Sequence, residues 1–278
     1  MRSGEGPSSI KTLNVGSPQG CALSPLLFVL YTNKLRSISP NNLLLKFADD
    51  TAIVGKITAN NEDAYKSEVS SVVRWCDKAG LLVNAKKTQE LIVDFREKGK
   101  TMEKITIGGE TIVQQEVCKY LGVDIDRRLT FRDHVRSQSK KMARRMYCVK
   151  RLKRAGVTGK RVKLAFSSFV ASLITYGSII HFALLTKKDR RIFLSVIREA
   201  EKMELCSTEE IERTIRRRAV GFVSKIGADH KHALYKEVNP HLPGGGRTRR
   251  NARMMFCRTE RFLNSLIPNA LRVLCDVP

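Results

Sequence analysis

The stretch LLLKFADDTAIVG, residues 43–55, decides how the first part of this 278-residue chain is organised. Apolar side chains alternate up to Phe47, and a second apolar run follows the Asp49-Asp50 pair and stops at Gly55. Two short apolar runs separated by turn-forming residues predict a β-hairpin. Because aspartate is disfavoured within strands, two adjacent aspartates at the tip of an apolar hairpin require an explanation.

Two interpretations of Asp49 and Asp50 follow from the residues alone. Adjacent carboxylates are costly unless a cation neutralises them, and oxygen ligands suit Mg²⁺. In two-metal phosphoryl transfer, carboxylates hold a pair of such ions. The alternative is an ordinary polar turn, in which an aspartate bonds its own backbone.

The surrounding sequence predicts an α+β arrangement. A helix begins at Ser24-Pro25, where serine is a good N-cap and proline fits the first turn, and it ends near Leu35. A second helix covers 61–79, from an Asn61 cap to a Gly80 stop. Short strands at 90–95, 104–107 and 111–117 follow, with Gly108-Gly109 as a hairpin turn. Leu26, Leu27, Leu30 and Tyr31 form the predicted apolar face of the first helix; Tyr65, Val69, Val72, Val73 and Cys76 form that of the second.

The composition changes after about residue 130. Residues 132–163 contain 13 Lys and Arg but one acid, Asp133. Met142, Met146, Val149 and Leu152 recur at helical spacing within this segment. The pattern predicts a helix with one apolar and one strongly basic face, and a face of one charge sign favours phosphate contact over simple solvation. The candidate contacts to a nucleic-acid backbone are Lys140, Lys141, Arg144, Arg145, Lys150, Arg151, Lys153 and Arg154.

Residues 164–186 contain no charged side chain other than histidine. That length could cross a bilayer. Serine, threonine and glycine dilute it, and the spacing of its polar residues favours one or two buried core helices. Helical sequence continues over 187–235, followed by a Pro/Gly linker near 240–246 and a last basic segment that could be helical from 247 to 266.

The overall charge identifies the class of partner. The chain has 51 Lys and Arg against 27 Asp and Glu, a net charge of +24 with a pI near 10.1. Such an excess favours a polyanion, foremost nucleic acid and secondly an anionic membrane surface. Seven scattered cysteines without a CxxC pair indicate a reduced intracellular protein, and the N-terminus carries no secretory signal. Nuclear and cytoplasmic locations remain equally open.

Several segments resemble the reverse transcriptases of non-LTR (LINE-type) retrotransposons, most closely the CR1/L2 group. GSPQGCALSPLLFVLY at 16–31 is similar to the family's motif B, and FADD at 47–50 to its catalytic motif C. Trp75-Cys76 with LVNAKKT at 82–88 resembles motif D, and KYLGV at 119–123 resembles motif E. Four motifs in the family's order make the resemblance specific.

The resemblance implies a role for each matching residue. Asp49 would be a catalytic carboxylate that ligates Mg²⁺, with Asp50 as its weaker neighbour. The partners would be an RNA template, a DNA primer and a dNTP. Gln19, Gly20, Phe47 and Lys87 would contact nucleotide or template, and Tyr120, Leu121 and Gly122 would hold the primer terminus. For Lys87 and for Leu121-Gly122 the alternatives are a surface lysine and a plain strand end.

The family also uses a motif A aspartate upstream of motif B, for which this sequence has no counterpart. Glu5 is the one acidic residue before Asp49. A two-metal site takes carboxylates from more than one element, and Asp94, Asp124 or Asp126 could substitute only in an unusual fold. The sequence therefore predicts a catalytically incomplete polymerase fragment.

The expected organisation has four parts: a flexible leader at 1–20, a partial palm at 21–125, a basic helical thumb at 126–205 and a basic helical tail at 206–278. The expected function is that of an RNA-directed DNA polymerase fragment that is inactive alone. A non-catalytic nucleic-acid-binding protein derived from such an element is the alternative, and a membrane-associated basic protein is a third.

Overall fold

A computed structural model describes residue 16 and residues 20–96, 102–242 and 254–275. The chain forms two compact units. The first comprises Met1–Thr88 and Lys100–Val113, and the second comprises Gln89–Gly99 and Gln114–Pro278. Helices are mixed with small two-stranded sheets, which agrees with the expected α+β class. Apart from Gly16 and Gly20, the predicted leader lies outside the described residues, as do the linker at 243–246 and the segment 247–253.

The first unit is built around the predicted hairpin. Helix α1, Ser24–Tyr31, continues as a 3-10 turn over Thr32–Lys34. Strands β1, Asn42–Phe47, and β2, Asp50–Gly55, pair antiparallel. Helix α2, Asp63–Lys78, follows, and Gly80 ends it with a φ of +66°.

A small core holds this first unit together. Val69 of α2 packs with Ile107 and Ile112, and Ile53 of β2 lies against the same cluster. A side chain at Gly55 is sterically excluded, because a β-carbon there would lie 2.7 Å from the Tyr65 ring. The apolar face predicted for α2 is turned inward: Val69 and Val72 are buried, and Tyr65, Val73 and Cys76 are partly buried.

Helix α1 differs from the expectation. Leu23, not Ser24, occupies the N-cap, and its side chain makes no cap hydrogen bond. None of the helix residues is buried, and the predicted apolar face is at least half exposed at Leu26, Leu27, Leu30 and Tyr31. Apolar periodicity predicted the helix correctly but not the covering of its face, because burial depends on what packs against it.

The remaining strands are shorter than predicted. Strand β3 is Gln89–Leu91, so residues 92–95 are not strand. Strands β4, Thr106–Ile107, and β5, Glu110–Thr111, form the predicted hairpin around Gly108-Gly109. Strand β6, Val113–Gln115, pairs with β3. Strands β7, Val117–Tyr120, and β8, Val123–Asp126, form a further antiparallel hairpin.

The second unit is mostly helical and centres on α3, Arg132–Arg154. The predicted basic helix thus ends before Gly156, which has a φ of +85°. Helix α4, Gly159–Phe166, runs through a π-helical segment, Ser167–Ala171, into α5, Ser172–Thr175. Helix α6, Ser178–His181, and a 3-10 turn, Phe182–Leu184, complete the apolar stretch.

Five helices follow in the described residues of the second unit. They are α7, Lys187–Glu201; α8, Thr208–Ala228; α9, Tyr235–Val238; α10, Glu260–Leu263; and α11, Leu266–Cys275. A 3-10 turn covers Asn239–His241. Residues 254–259 are not helical, which shortens the helix suggested for 247–266. All seven cysteines are free.

The apolar stripe of α3 organises the main core. Val135, Met142, Met146 and Val149 are fully buried, with 0 % exposure each. They pack in one cluster with residues of α4, the π-helical segment, α5 and α7: Val162, Phe166, Val170, Ile174, Phe193 and Ile197. A second cluster joins α8, α9 and α11 through Val223, Ile226, Val238 and Leu271.

The segment Gly159–Leu184 is the one stretch of the described chain that is long and apolar enough to cross a membrane. About a third of its most apolar window is buried within the protein (33 %). Val162, Phe166, Val170 and Ile174 recur every four residues and are among the residues that pack into the α3 core. This packing agrees with the interpretation as core helices.

His181 is fully buried in this core, 4.9 Å from the ring of His134. Burial lowers the pKa of His181 to about 3, and the charge of His134 acts in the same direction. Burial also lowers the pKa of His134.

We predict that the second unit loses stability as the pH falls below about 6.5, since the unfolded chain takes up a proton there that folded His181 does not. Between pH 7.5 and 5 this one histidine accounts for about 2 kcal/mol of unfolding free energy. Urea unfolding at both pH values should show that His181→Phe flattens the dependence, whereas His230→Gln, at an exposed histidine, leaves it unchanged. An unaltered slope in His181→Phe would contradict the assignment.

Candidate active site and nucleic-acid face

The aspartate pair lies at the exposed end of the β1–β2 hairpin. Phe47 pairs with Asp50 across the ladder, so Ala48 and Asp49 form the two-residue turn. Ala48 has a φ of +52°, in a turn position that glycine usually occupies. Asp49 and Asp50 are both exposed, and the Phe47 side chain is 62 % exposed. The hairpin therefore presents two carboxylates and an aromatic ring together.

This tip can supply part of a metal site. Neither aspartate side chain has a hydrogen-bond or ion-pair partner among the described residues, so four carboxylate oxygens are available, and oxygen is what Mg²⁺ prefers. No group of three or more metal-binding side chains occurs in the described part of the chain. The donor type fits a divalent cation, and the number of donors falls short of a complete site.

Other acidic residues considered as substitutes have partners of their own. Asp94 accepts hydrogen bonds from Arg96, which lower the pKa of that carboxyl to about 2. Asp126 accepts from the backbone amides of Arg128 and Thr130, each at 3.0 Å, and so shapes the loop before α3. The Asp124 carboxylate lies 3.6 Å from His134 Nδ1, and this nitrogen accepts a hydrogen bond from the backbone amide of Asp124 at 3.2 Å.

Lys46 on β1 ties the hairpin to the helix before it. Its Nζ donates to the carbonyl of Thr32 at 2.6 Å and to that of Leu35 at 3.0 Å. Burial lowers the pKa of Lys46, and the charge of Arg36 adds to the effect. The ammonium group donates to carbonyls at both ends of the 3-10 turn after α1, and thus ties that turn to the β1–β2 hairpin.

Glu68 on α2 fixes the loop that leads into β1. Its fully buried carboxylate accepts from Ser37 Oγ at 2.9 Å, from the amides of Ile38 and Ser39 at 3.1 Å, and from Asn42 Nδ2 at 3.3 Å. Burial alone would raise the pKa of Glu68, but these donors together outweigh it and lower the pKa. The carboxylate replaces the hydrogen bonds that the loop backbone lacks.

The structure describes only part of the stretch that resembles motif B. Gln19 lies outside the described residues. Gly20 is exposed, has a φ of +81°, and would have no atom within 4 Å of a β-carbon. The left-handed backbone explains the glycine, and its open side leaves room for the close approach that the family resemblance implies.

Lys87 lies in a turn at the end of the first unit. Its backbone amide donates to Asn84 Oδ1 at 3.2 Å, and its side chain is exposed. The structure gives its Nζ no partner among the described residues.

Tyr120, Leu121 and Gly122 lie at the turn of the β7–β8 hairpin. Leu121 and Gly122 have φ values of +45° and +81°, which is the pattern of a type I′ turn. The hydroxyl of Tyr176 donates to the carbonyl of Leu121, and a β-carbon at residue 122 would lie 3.4 Å from the Tyr176 ring. Tyr176 therefore supports the turn from the end of α5.

The eight cations predicted to face nucleic acid fall into three groups. Lys140, Arg144, Arg151 and Arg154 are exposed and have no side-chain partner among the described residues. Three others are used internally: Arg145 donates to the carbonyl of Phe169, Lys150 pairs with Glu199, and Lys153 donates to the carbonyl of Met203. Lys141 is half-buried.

The sequence did not predict the roles of three residues that hold the candidate site segments in place: Lys46, Glu68 and Tyr176. Each acts on a segment far from it in the chain. Only Glu68 carried a local signal, since an acid lies among the apolar positions Tyr65, Val69 and Val72 of an amphipathic helix.

Comparison with known proteins identifies the first half of the chain. Residues 3–125 match the family model described as reverse transcriptase (RNA-dependent DNA polymerase). The chain is therefore similar to reverse transcriptases over these residues, which make up less than half of its length. No solved structure matches the chain.

The chain has relatives in mobile elements. It is 27 % identical over 178 residues to the probable RNA-directed DNA polymerase from transposon BS of Drosophila melanogaster, covering 60 % of this chain and 20 % of the relative. It is 32 % identical over 139 residues to the RNA-directed DNA polymerase from mobile element jockey of Drosophila funebris. This match covers 47 % of this chain and 15 % of the relative.

A third relative is the probable RNA-directed DNA polymerase from transposon X-element of Drosophila melanogaster. It is 31 % identical over 126 residues, and the match covers 43 % of this chain and 14 % of the relative. The chain thus spans about a fifth or less of the length of these relatives. The resemblance to LINE-type reverse transcriptases is confirmed. Motifs B, C, D and E all fall within the matched residues.

We predict that Glu68→Ala destabilises the first unit by about 3 kcal/mol, because it leaves buried donors without an acceptor. Urea unfolding should show this loss, and hydrogen exchange should show reduced protection at the amides of Ile38 and Ser39. Asp77→Asn removes the same charge from an exposed position of α2 and is expected to change little. Equal effects of the two substitutions would show that Glu68 does not hold the loop.

Proposed function

We propose that this reverse transcriptase domain takes part in RNA-templated DNA synthesis, in which the 3′-hydroxyl of a DNA primer attacks the α-phosphate of a dNTP and pyrophosphate leaves. The exposed Asp49-Asp50 tip within the matched family region is the observation that carries this proposal. Asp49 would be the principal metal-binding carboxylate and Asp50 its neighbour. Reverse transcriptases use divalent metal ions, and a bound Mg²⁺ pair would stabilise charge on the attacking and leaving oxygens.

The other site residues would act on the nucleic acids and the nucleotide. The open backbone at Gly20 would approach the template or the nucleotide, and Gln19 and Phe47 would also contact one of them. The exposed ammonium group of Lys87 would interact with the phosphates of the dNTP. The turn at Tyr120, Leu121 and Gly122 would support the primer terminus, with Tyr176 holding its shape.

We further propose that the 278-residue chain is catalytically incomplete by itself. Its tip offers two adjacent carboxylates, whereas two-metal chemistry takes ligands from more than one element. The motif A aspartate would have to come from a segment other than those described. Nucleic-acid binding through the helical unit is then the activity that this chain retains.

We expect the purified chain to extend no DNA primer on an RNA template with Mg²⁺ and dNTPs, beyond the level of Asp49→Asn. Extension that Asp49→Asn abolishes would contradict the incompleteness and would support Asp49 as a catalytic carboxylate.

A separate measurement tests the metal ligands themselves. Mn²⁺ added to isotope-labelled protein should broaden the amide signals of residues 48–51. Asp49→Asn should remove most of this effect, and Asp133→Asn, at an exposed acid of α3, should not. Broadening that survives in Asp49→Asn would exclude that carboxylate as the principal ligand.

We predict that the four partner-free cations of α3 dominate binding to nucleic acid. We expect the slope of log K against log salt to become less steep by up to about 3 when Lys140, Arg144, Arg151 and Arg154 are replaced by glutamine. The reason is that each phosphate contact adds about 0.7–0.9 to the steepness. Fluorescence anisotropy across a salt series measures this.

The matched control removes four exposed lysines from the same unit: Lys202, Lys225, Lys231 and Lys236. It changes net charge equally, so an equal loss of slope in both variants would show that binding reflects overall charge and not the α3 face. Retained binding by Asp49→Asn is expected, because the tip and the α3 face are separate features.

A further inference from the structure

The outer face of α3 carries one aromatic ring within its row of cations. Tyr147 is 57 % exposed, and its hydroxyl has no hydrogen-bond partner among the described residues. Arg144 precedes it by three residues and Arg151 follows it by four. Residues three and four apart are neighbours on a helix surface, so the ring lies between two guanidinium groups.

The row is narrow and opposes the core. At about 100° per residue, the side chains of Lys140, Arg144, Tyr147, Arg151 and Arg154 project within an arc of roughly 80°. The fully buried residues Met142, Met146 and Val149 lie on the opposite side of the helix. From Lys140 to Arg154 the row is about 21 Å long at 1.5 Å per residue, and Tyr147 lies at its middle.

We propose that Tyr147 is a stacking platform for unpaired bases, and that the outer face of α3 binds single-stranded nucleic acid. This inference rests on the proposed nucleic-acid binding of the same face. Cations alone would serve a duplex, whose bases are stacked on each other and whose surface is phosphate. A central exposed aromatic ring adds a contact that only an unpaired base can fill.

The flanking charges suit this arrangement. With no carboxylate paired to them, Arg144 and Arg151 can each hold a phosphate, and the nucleotide between them brings its base over the Tyr147 ring. Every base has a π-face, so the contact tolerates any sequence and does not distinguish RNA from DNA. Asp133, at the start of the helix, pairs with Arg136 at 4.0 Å and lies outside the row.

The test uses the full chain and fluorescein-labelled 16-nucleotide strands of mixed sequence, as RNA and as DNA, beside blunt duplexes of equal length. We expect Tyr147→Ala to weaken binding of both single strands about tenfold, and to change duplex binding less than twofold. Tyr147→Phe keeps the ring and should bind single strands as the parent chain does. Because Tyr147 is exposed, all variants should unfold at the same urea concentration.

The outcomes separate the two proposals. The stacking role of Tyr147 would be overturned if Tyr147→Ala weakened binding of single strands and duplexes equally, or did not weaken binding of single strands. The variant with four cations replaced by glutamine would still test whether the outer face of α3 binds nucleic acid. If the parent chain binds no nucleic acid at low salt, the proposed nucleic-acid face itself fails, and the inference about Tyr147 fails with it.

Discussion

The buried stripe of α3 is the constraint on which the helical unit depends. Val135, Met142, Met146 and Val149 are fully buried, and each such side chain contributes about 1.5–3 kcal/mol. Because α4, the π-helical segment, α5 and α7 all pack on this stripe, the rotation of α3 about its axis is fixed. The opposite face is then committed to solvent, and that face is the one with Lys140, Arg144, Tyr147, Arg151 and Arg154. The packing of one face of α3 into the core therefore determines which of its charged side chains are exposed on the other face.

In the first unit, two polar side chains play the corresponding part. Glu68 fixes the loop into β1, and Lys46 fixes the end of the 3-10 turn after α1. Glu68 accepts from loop amides and Lys46 donates to the carbonyls of Thr32 and Leu35, so both side chains hold backbone groups in place. They matter here because the apolar core of this unit is small, and because the hairpin they anchor presents Asp49 and Asp50. Glu68 and Lys46 thereby help to position the tip of the β1–β2 hairpin.

The sequence was most informative where structure is local. The presence of a hairpin around Asp49-Asp50, the Gly108-Gly109 turn and the two faces of α3 follow from periodicity and turn chemistry within a few residues. Contacts between distant residues were not predictable: Glu68 to the loop at 37–42, Lys46 to Thr32, and Tyr176 to Leu121. The same limit explains the basic face, since composition marked eight cations but only tertiary packing shows that Arg145, Lys150 and Lys153 have internal partners.

The central claim is the proposal that the outer face of α3 binds nucleic acid. Lysine acetylation of the chain, read by mass spectrometry with and without a saturating single-stranded RNA at low salt, tests it most directly. The account predicts that Lys140 is protected by the RNA, whereas Lys202, Lys225 and Lys231, exposed elsewhere in the same unit, react as in the unbound protein. Full reactivity of Lys140 in the complex, with protection at the other three lysines, would contradict it.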